Sequence, residues 1–246
     1  MSVVRADKYL SVVKNVTRSE AKKLLRAGCI AVNGKVCKNG DAKIDTQKDE
    51  VFFNGLRLEW KEHIYIMMNK PAGVVSASKD PHEKTVTDLV PEELQRTGLF
   101  PAGRLDKDTT GFVLITDDGV FAHNILAPGK HVPKTYIVGL TRPVTQQEIR
   151  ELADGPVLDD EKLLPVLVEC EIKDETKYRV ILQEGRYHQI KRMFAKQQNP
   201  VLSLHRIRMG KLFLDAQLQP GECRELTDEE VELIASRDIS CVEDVM

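Results

Sequence analysis

The pattern of apolar and polar positions divides the chain into a short N-terminal segment with a helix and a hairpin and a longer segment rich in strands. In the first, Thr17 and Glu20 have the spacing of a helix capping box, an apolar stripe follows them, and Gly28 ends the helix. Residues 30–32 and 35–38 are strand-like runs on either side of the pair Asn-Gly. Because Asn-Gly favours a two-residue turn, we predict a hairpin there.

The longer segment predicts strands in series with a few helices between them. The predicted strands are residues 64–68, 112–115, 134–140, 166–172, 177–182 and about 203–215, and the predicted helices lie near 145–155 and 187–197. The triplet Asp-Asp-Gly at 117–119 is interpreted as a turn. This order is typical of an α+β domain around a mixed, mainly antiparallel sheet. We divide the chain into domains at 1–60 and 61–240, followed by an acidic end at 241–246.

Composition excludes several classes of protein. No apolar run approaches the roughly 18 residues of a membrane span, and the N-terminus lacks the apolar core of a signal peptide. The five cysteines are scattered, odd in number and never spaced as Cys-x-x-Cys, which argues against a disulfide framework and against a zinc site. We therefore expect a cytoplasmic protein with no membrane partner and no bound metal.

The net charge of −2 conceals an uneven distribution along the chain. Residues 1–60 hold 12 Lys and Arg against 7 Asp and Glu, and residues 61–224 hold 23 of each kind. Residues 225–246 hold one basic and eight acidic residues. Because a phosphate backbone responds to local potential, the basic N-terminal segment is a candidate nucleic-acid surface.

The basic residues of this segment are concentrated on the helix and the hairpin. Arg18, Lys22 and Arg26 recur every four residues and form a ridge along the helix. The full set of candidate phosphate contacts is Arg5, Lys8, Arg18, Lys22, Lys23, Arg26, Lys35 and Lys38. The plainer interpretation is a solvated amphipathic helix whose charges only confer solubility, and the charge pattern by itself leaves both open.

Residues 100–119 contain the most informative candidate chemistry. A turn at Gly103 leads into an acidic stretch, and an apolar run then enters the core. A carboxylate on a loop held by a buried strand is fixed in place yet reachable, as a nucleophile or a general base requires. A solvated turn residue is the commoner role for any single surface aspartate. The residue types do not choose among the candidates Asp106, Asp108, Asp117 and Asp118.

Two adjacent motifs, residues 103–106 (GRLD) and 108–111 (DTTG), resemble the catalytic motif of pseudouridine synthases, in the branch that modifies ribosomal RNA and carries an N-terminal S4 RNA-binding domain. Further segments agree in order and spacing over about 145 residues: 68–73 (MNKPAG), 134–136 (KTY), 184–194 (EGRYHQIKRMF) and 204–210 (LHRIRMG). The N-terminal order of helix, basic ridge, glycine, strand and Asn-Gly is similar to the S4 domain. The resemblance implies an α+β protein with a small S4 domain and a pseudouridine synthase catalytic domain.

The resemblance also assigns roles to individual residues. It implies that Asp106 is the catalytic aspartate and that Lys191 is the cation beside it, where many relatives outside this branch have arginine. It implies that Tyr136 is a catalytic residue that stacks on a base flipped out of the RNA and takes part in proton transfer through its phenol, and that Ile190 covers the other side of that base. Arg104 is expected either to fill the vacated position in the stack or to grip a phosphate.

Other residues of the matching segments are given binding or packing roles. Arg206 and Arg208 are expected to line the RNA groove, and His188 is expected to be a polar packing residue rather than a catalytic base. Isomerisation of uridine adds and removes no atoms, so we expect no redox cofactor, no phosphate donor and no metal. The chain offers no glycine-rich phosphate loop and no cluster of His and Cys ligands in its sequence.

The expected function is isomerisation of one uridine of ribosomal RNA to pseudouridine by an aspartate nucleophile acting on a flipped-out base. The sequence does not decide whether Asp106 attacks C1′ of the ribose, adds to C6 of the base or abstracts a ribose proton to give a glycal. The compact length and acidic end favour 16S rRNA, at a uridine-516-type site, over 23S rRNA. A non-catalytic ribosome-assembly factor is the second hypothesis, and intact Asp106, Tyr136 and Lys191 argue against it. The third hypothesis is a glycosidase with a pair of catalytic carboxylates. It would need a second acidic residue that matches the family motifs, and none is found. We expect a monomer whose partner is ribosomal RNA or an assembling subunit.

Removal of residues 1–60 is predicted to weaken RNA binding and reduce its salt dependence, because the candidate phosphate contacts are concentrated in that segment. Fluorescence anisotropy at several salt concentrations measures the binding, and circular dichroism checks that the remaining catalytic domain is folded. An insoluble or unfolded remainder would contradict the proposed domain boundary.

Overall fold

The computed structural model describes residues 3–238 except 128, 130, 172 and 173. The chain forms two compact units: the first extends to Ile64 and includes Glu93–Gly98, and the second contains Tyr65–Glu92 and continues from Leu99. The boundary that we predict after residue 60 falls a few residues before Ile64. Residues 241–246, which we expect to be the acidic end, lie outside the described residues.

The first unit contains two helices and six short strands. These are β1 (Val3–Arg5), α1 (Ala6–Val13), α2 (Arg18–Arg26), β2 (Ile30–Val32), β3 (Lys35–Val36), β4 (Lys43–Asp45), β5 (Val51–Phe53) and β6 (Leu56–Leu58). Strands β1 and β4 pair with each other, and the remaining strands form an antiparallel sheet in the order β3-β2-β5-β6.

Local sequence explains the elements that the pattern predicts in this unit. The Thr17 hydroxyl accepts a hydrogen bond from the Glu20 N–H at 3.2 Å, and the Glu20 carboxylate accepts one from the Thr17 N–H at 2.8 Å, so the capping box of α2 is closed. Asn33 and Gly34 have φ values of 50° and 76°, as the tight hairpin turn requires. The predicted helix and hairpin are confirmed. The pattern does not predict α1, because its N-cap, Arg5, makes no side-chain capping bond.

The second unit contains one large sheet, a small hairpin and four described helices. Its strands are β7 (Tyr65–Lys70), β8 (Phe100–Pro101), β9 (Thr110–Thr116), β10 (Lys134–Leu140), β11 (Val157–Leu158), β12 (Glu161–Lys162), β13 (Leu167–Glu171), β14 (Asp174–Leu182), β15 (Val201–Met209), β16 (Leu212–Phe213) and β17 (Cys223–Glu225). Its helices are α3 (Gly119–Leu126), α4 (Gln146–Ala153), α5 (Gln189–Lys196) and α6 (Asp228–Ala235). Two 3₁₀ turns, Thr87–Leu89 and Glu92–Leu94, complete the described elements of the chain.

The large sheet has the strand order β13-β14-β10-β15-β9-β7-β17, with β16 beside β15 and β8 beside β9. Strands β9 and β15 are parallel, and the other pairings described in this sheet are antiparallel. The predicted α+β class with a mixed, mainly antiparallel sheet is confirmed. The central strands β7 and β9 are covered on both faces, since residues 66–68 and 112–115 are fully buried.

The helices in the described ranges are short. The longest, α2, has nine residues, whereas a helix needs about 20 to cross a bilayer. None of the helices that the structure describes is therefore suited to span a membrane.

Helix α3 begins where we predict a turn. Asp118 is its N-cap, and Oδ1 of Asp118 accepts hydrogen bonds from the N–H groups of Val120 and Phe121, each at 2.9 Å. Residues 117 and 118 form the predicted connection after β9, but Gly119, which we assign to the turn, already belongs to the helix. A capping aspartate and a turn aspartate produce the same short sequence signal.

Helix α6 begins inside the acidic C-terminal stretch. Its first turn contains Asp228, Glu229 and Glu230, where the helix dipole stabilises negative charge. Arg224 donates to Glu230 at 2.7 Å, and Ile234 is fully buried. The start of the acidic stretch is therefore part of the folded unit.

The loop between β8 and β9 is held by the segment that follows β7. The Ser76 hydroxyl accepts a hydrogen bond from the Leu105 N–H at 3.0 Å and donates one to the Leu105 carbonyl at 2.9 Å. The Gly73 N–H donates to the Lys107 carbonyl at 2.8 Å. These bonds fix the backbone on both sides of Asp106.

Gly111 allows β15 to approach the start of β9. It pairs with Arg206 in the parallel register. Its φ is +100°, and a Cβ at this position would overlap the Arg206 carbonyl oxygen and lie 2.7 Å from the Arg206 nitrogen. A glycine is needed here for both reasons, and the approach ties the end of the loop to the centre of the sheet.

Gly111→Ala is predicted to lower the free energy of unfolding by about 3 kcal/mol, because the strained φ and the backbone overlap each cost on the order of 1–3 kcal/mol. Urea unfolding measures the change. Gly119→Ala is the control, since a Cβ there meets no atom within 4 Å, and its effect should stay within about 0.5 kcal/mol. Equal effects of the two substitutions would contradict the close approach at Gly111.

Ser76→Ala is predicted to lower the free energy of unfolding by about 2 kcal/mol, because it leaves the N–H and the carbonyl of Leu105 buried without their partner. It should also speed hydrogen exchange of the Leu105 amide. Ser78→Ala, at an exposed position in the same segment, is the control and should change neither quantity appreciably. Unchanged Leu105 exchange in Ser76→Ala would show that this hydroxyl does not hold the loop.

Candidate active site

A cleft of about 840 Å³ opens in the second unit beside the loop that carries Asp106. Segments far apart in the sequence line it: residues 103–109, the β10 residues Lys134 and Tyr136, residues 184–191 and the β15 residues Leu204 and Arg206. The fold therefore brings four of the motif segments to one concave surface.

Asp106 lies in a cluster of charged side chains. Its Oδ2 is 3.0 Å from Nζ of Lys191, and its Oδ1 is 3.3 Å from Nε2 of His188. Nζ of Lys191 also donates to Oδ1 of Asp108 at 2.6 Å. The side chains of Asp106 and Lys191 are 28 % and 26 % exposed, whereas that of Asp108 is 75 % exposed. The Lys191 ammonium group therefore binds two carboxylates, the partly buried one of Asp106 and the exposed one of Asp108.

Helix α5 places Lys191 at the cleft because the residues around it anchor the helix. Ile190 and Phe194 are buried at 4 % and 0 % exposure. The N-cap, His188, has the left-handed backbone angles φ 49° and ψ 33°, which turn the chain sharply into the helix. His188 and Lys191, three residues apart, therefore both reach Asp106.

The charges of this cluster act on one another. Burial alone would lower the pKa of Lys191, but its hydrogen bonds to Asp108 and Asp106 outweigh burial and raise the pKa above its ordinary value. The hydrogen bond from Lys191 holds the pKa of Asp108 below its ordinary value. Lys191 is therefore a cation throughout the physiological pH range.

A second lysine, Lys70, is fully buried beneath the loop. Its Nζ donates to three carbonyl oxygens, those of Pro71 at 3.0 Å, Lys107 at 3.2 Å and Thr109 at 2.8 Å. Burial lowers the pKa of Lys70 to about 8, while the charges of Asp108 and Asp106 act in the opposite direction. The carbonyl oxygens take the place of water around the ammonium group, and the ammonium group fixes the backbone that follows Asp106.

The inner wall of the cleft carries two further basic side chains. Lys134 is 4 % exposed and Arg206 is 1 % exposed. Nζ of Lys134 lies 3.2 Å from Nδ1 of His131 and donates to the Val132 carbonyl at 3.2 Å, and Nε of Arg206 donates to the Phe112 carbonyl at 2.7 Å. Burial lowers the pKa of Lys134 to about 7, and the charge of Arg206 acts in the same direction.

The residues that we expect to hold a base line the same cleft. Tyr136 and Ile190 are buried at 8 % and 4 % exposure, and Arg104 is exposed. The structure thus brings these three residues together with Asp106 and Lys191 around one cavity. An aromatic face, an aliphatic side chain and a carboxylate in one cleft provide the groups with which an enzyme holds and attacks an extruded nucleobase.

The basic residues predicted in the first unit lie at its surface. Exposed members of the set are Lys8, Arg18, Lys22, Lys23, Arg26, Lys35 and Lys38, and Arg5 is partly buried. Asp7 is only 1 % exposed and binds Arg5 at 2.8 Å, Arg18 at 2.5 Å and Lys22 at 3.7 Å. Asp7 therefore binds two residues of the basic ridge of α2, Arg18 and Lys22. The contact of this ridge with RNA stays a prediction.

Arg206 and Arg208 lie deeper than we expect for residues lining a groove. They are 1 % and 3 % exposed, because β15 is an inner strand of the sheet with β10 and β9 on its two sides. Nε of Arg208 donates to the Gly210 carbonyl at 2.7 Å, and its guanidinium lies 5.2 Å from the centre of the Phe213 ring. We expect both to line the RNA groove: Arg206 lies in the inner wall of the cleft, so its role there stays a prediction, whereas Arg208 lies in the packed interior, which does not fit that expectation.

Sequence reasoning does not identify Lys70, Lys134 or the contact of His188 with Asp106. The signal for the first two is their place in the motif segments 68–73 and 134–136. We interpret His188 as a packing residue, and the structure adds that its ring contacts the Asp106 carboxylate. Only the fold shows which of these side chains meet.

Comparison with known proteins agrees with these observations. A family model described as RNA pseudouridylate synthase matches residues 64–196, and one described as S4 domain matches residues 4–51. A Bacillus subtilis protein named uncharacterized RNA pseudouridine synthase YtzG is 42 % identical, and the match covers 94 % of this chain and 98 % of that protein.

Proteins named ribosomal small subunit pseudouridine synthase A from Haemophilus influenzae and Escherichia coli K12 are each 40 % identical, and each match covers 93 % of this chain and 98 % of the relative. A crystal structure of a pseudouridylate synthase is similar with a TM-score of 0.65 and 39 % identity, covering 94 % of this chain and 99 % of that one. The chain therefore belongs to the RNA pseudouridylate synthase family and is an RNA pseudouridine synthase with an S4 domain.

Proposed function

We propose that the chain isomerises one uridine of small-subunit ribosomal RNA to pseudouridine, with Asp106 as the nucleophile and the base flipped out into the cleft. The observation that carries the proposal is the Asp106 carboxylate in the cleft, 3.0 Å from the Lys191 ammonium group, with Tyr136 and Ile190 lining the same cavity. The small-subunit substrate is supported by the names of relatives that are 40 % identical over nearly the whole chain.

The target uridine must leave its stack to reach Asp106. Extrusion of a nucleotide costs a few kcal/mol, which contacts in the cleft must offset. Tyr136 provides an aromatic face and Ile190 an aliphatic surface, and both are held in place by burial. A base between these two side chains loses its stacking contacts in the RNA and gains apolar contacts with the protein in their place.

The reaction rearranges bonds without changing the composition of the nucleoside. The N1–C1′ bond breaks, the uracil turns, and a C5–C1′ bond forms. The proton on C5 leaves to a base, and N1 ends the reaction carrying a proton. In this proposal the Asp106 carboxylate bonds to C1′ as the N1–C1′ bond breaks, and the uracil leaves as an anion. After the uracil turns, C5 attacks C1′ and the bond from C1′ to Asp106 breaks, which returns the carboxylate.

The surroundings of Asp106 prepare it for this role. Nζ of Lys191 lies 3.0 Å from Oδ2 of Asp106 and holds that oxygen in a fixed direction. Ser76 and Lys70 fix the backbone of the loop before and after Asp106. Little reorganisation is then needed when the substrate binds, and preorganised charge is a large source of catalytic power.

Recognition of the ribosomal RNA, free or in an assembling subunit, is assigned to the basic surface of the S4 domain. Arg18, Lys22 and Arg26 present three cations along one face of α2. Lys35 and Lys38 on and after β3 add two more. Contacts of this kind recognise phosphates and the shape of the RNA. The uridine itself, a uridine-516-type site in this proposal, is then selected by the cleft and by the structure of the RNA.

Asp106→Asn is predicted to lower the rate of pseudouridine formation by more than about 10³-fold while RNA affinity stays within a few-fold, because the amide keeps the shape but not the nucleophilic charge. Asp108→Asn is the matched control, since Asp108 also binds Lys191 but is exposed, and its rate should stay within about tenfold. Tritium release from [5-³H]uridine-labelled RNA measures both rates. If Asp106→Asn stays active, or if both variants lose the same amount of activity, Asp106 is not the nucleophile.

Mapping of pseudouridines in ribosomal RNA from cells with and without this gene tests the substrate separately. We expect one uridine of the small-subunit RNA to lose its modification. A loss confined to large-subunit RNA would overturn the proposed substrate and leave the chemistry of Asp106 standing.

A further inference from the structure

Tyr187 presents an open aromatic face at the rim of the cleft. It is 76 % exposed, more than any other aromatic side chain in the described residues, and it lines the cleft. Its ring lies parallel to the His188 ring, with centroids 3.9 Å apart and an interplanar angle of 17°. One face of the tyrosine is therefore covered by the imidazole and the opposite face is turned to solvent. The open face contributes nothing to the packing of the domain.

The backbone holds this pair in an unusual arrangement. Side chains of consecutive residues in extended chain point in opposite directions, but the left-handed conformation of His188 turns the two rings face to face. Arg192 secures the turn: its backbone N–H donates to the His188 carbonyl at 2.9 Å and its guanidinium donates to the Tyr187 carbonyl at 3.4 Å. Non-glycine residues in this conformation are uncommon, and they cluster at functional sites.

The ring pair leads directly to the catalytic carboxylate. His188 stacks on Tyr187 with its face, and its edge places Nε2 at 3.3 Å from Oδ1 of Asp106. A planar group on the open face of Tyr187 would thus be separated from Asp106 by two stacked rings. That separation suits a nucleotide close in sequence to the one whose base occupies the cleft.

We propose that Tyr187 is a stacking platform for an unpaired nucleobase that flanks the target uridine in the substrate RNA. The inference rests on the proposed function, because it is the extruded uridine that leaves a neighbouring base without its stacking partner. A nucleobase matches the flat open face, and stacking on an aromatic side chain tolerates any base identity. A single ring is too small an area for a protein partner, whose interfaces bury several hundred Å² on each side.

The neighbours of Tyr187 also restrict its movement. The imidazole fixes one face of the ring and Arg192 fixes the carbonyl of Tyr187, so stacking a base costs little additional ordering of the protein. The exposed guanidinium of Arg104 lines the same cleft and offers a cation for a phosphate of the same strand.

The first test compares Tyr187→Ala and Tyr187→Phe on an RNA that contains the mapped target uridine. Tyr187→Ala should raise KM about tenfold with a smaller change in kcat, and Tyr187→Phe should behave as the wild type, because phenylalanine keeps the aromatic face. Val120→Ala, at a position of similar exposure outside the cleft, is the matched control and should change neither constant. Thermal unfolding of all variants should match the wild type. A normal KM for Tyr187→Ala would overturn the proposal.

The second test uses RNAs with a single abasic site at each position flanking the target uridine. At one of these positions, the abasic site should weaken binding to the wild type about as much as the Tyr187→Ala substitution weakens binding to intact RNA. The same abasic site should not weaken binding to Tyr187→Ala any further. If Tyr187→Ala binds every abasic RNA more weakly than the wild type does, and by the same factor, the ring does not stack on a flanking base. If mapping places the target in another RNA, the proposed substrate is wrong, and the same comparison on that RNA still decides the role of Tyr187.

Discussion

The conformation of the loop that carries Asp106 depends on one buried ammonium group. Removing a cation of this kind from water costs several kcal/mol unless other groups replace the water. Around Lys70 that replacement comes from three backbone carbonyls, those of Lys107 and Thr109 in the loop after Asp106 and that of Pro71 just after β7. The dependence is mutual, since the Thr109 carbonyl would lose its Lys70 donor if Lys70 were absent. These hydrogen bonds restrict the backbone of the loop and with it the position of the Asp106 carboxylate.

The cleft separates its charges by depth. Acidic groups and Lys191 occupy the mouth, whereas Lys134 and Arg206 are almost fully buried in the inner wall. An anionic substrate therefore meets a carboxylate that is balanced by a cation at the entrance and positive potential behind it. The overall charge of −2 says little about this local field, because the acidic C-terminal stretch contributes to the total and lies in a different part of the sequence.

The parts of the fold that the sequence predicts are those governed by short-range rules. Helix α2 and the first hairpin follow from a capping box and an Asn-Gly pair, whose partners are at most three residues apart. Helix α3 does not, because Asp118 satisfies turn and cap rules equally well. In the cleft, Asp106 and Lys191 are predicted through their motifs. The burial of Arg206 and the cage around Lys70 are not, since both arise from strands and loops that meet only after folding.

Asp7 in the first unit has a consequence for how the S4 domain meets polyanions. Its buried carboxylate holds Arg5, Arg18 and Lys22 in fixed directions, and it cancels part of their charge. Long basic side chains usually lose much rotational freedom when they grip a phosphate, and here a share of that freedom is already gone. Partial neutralisation also weakens attraction to nucleic acid of any sequence. In the RNA contact that we propose for this surface, weaker general attraction is combined with a preset geometry, which favours RNAs whose phosphates match the spacing of these side chains.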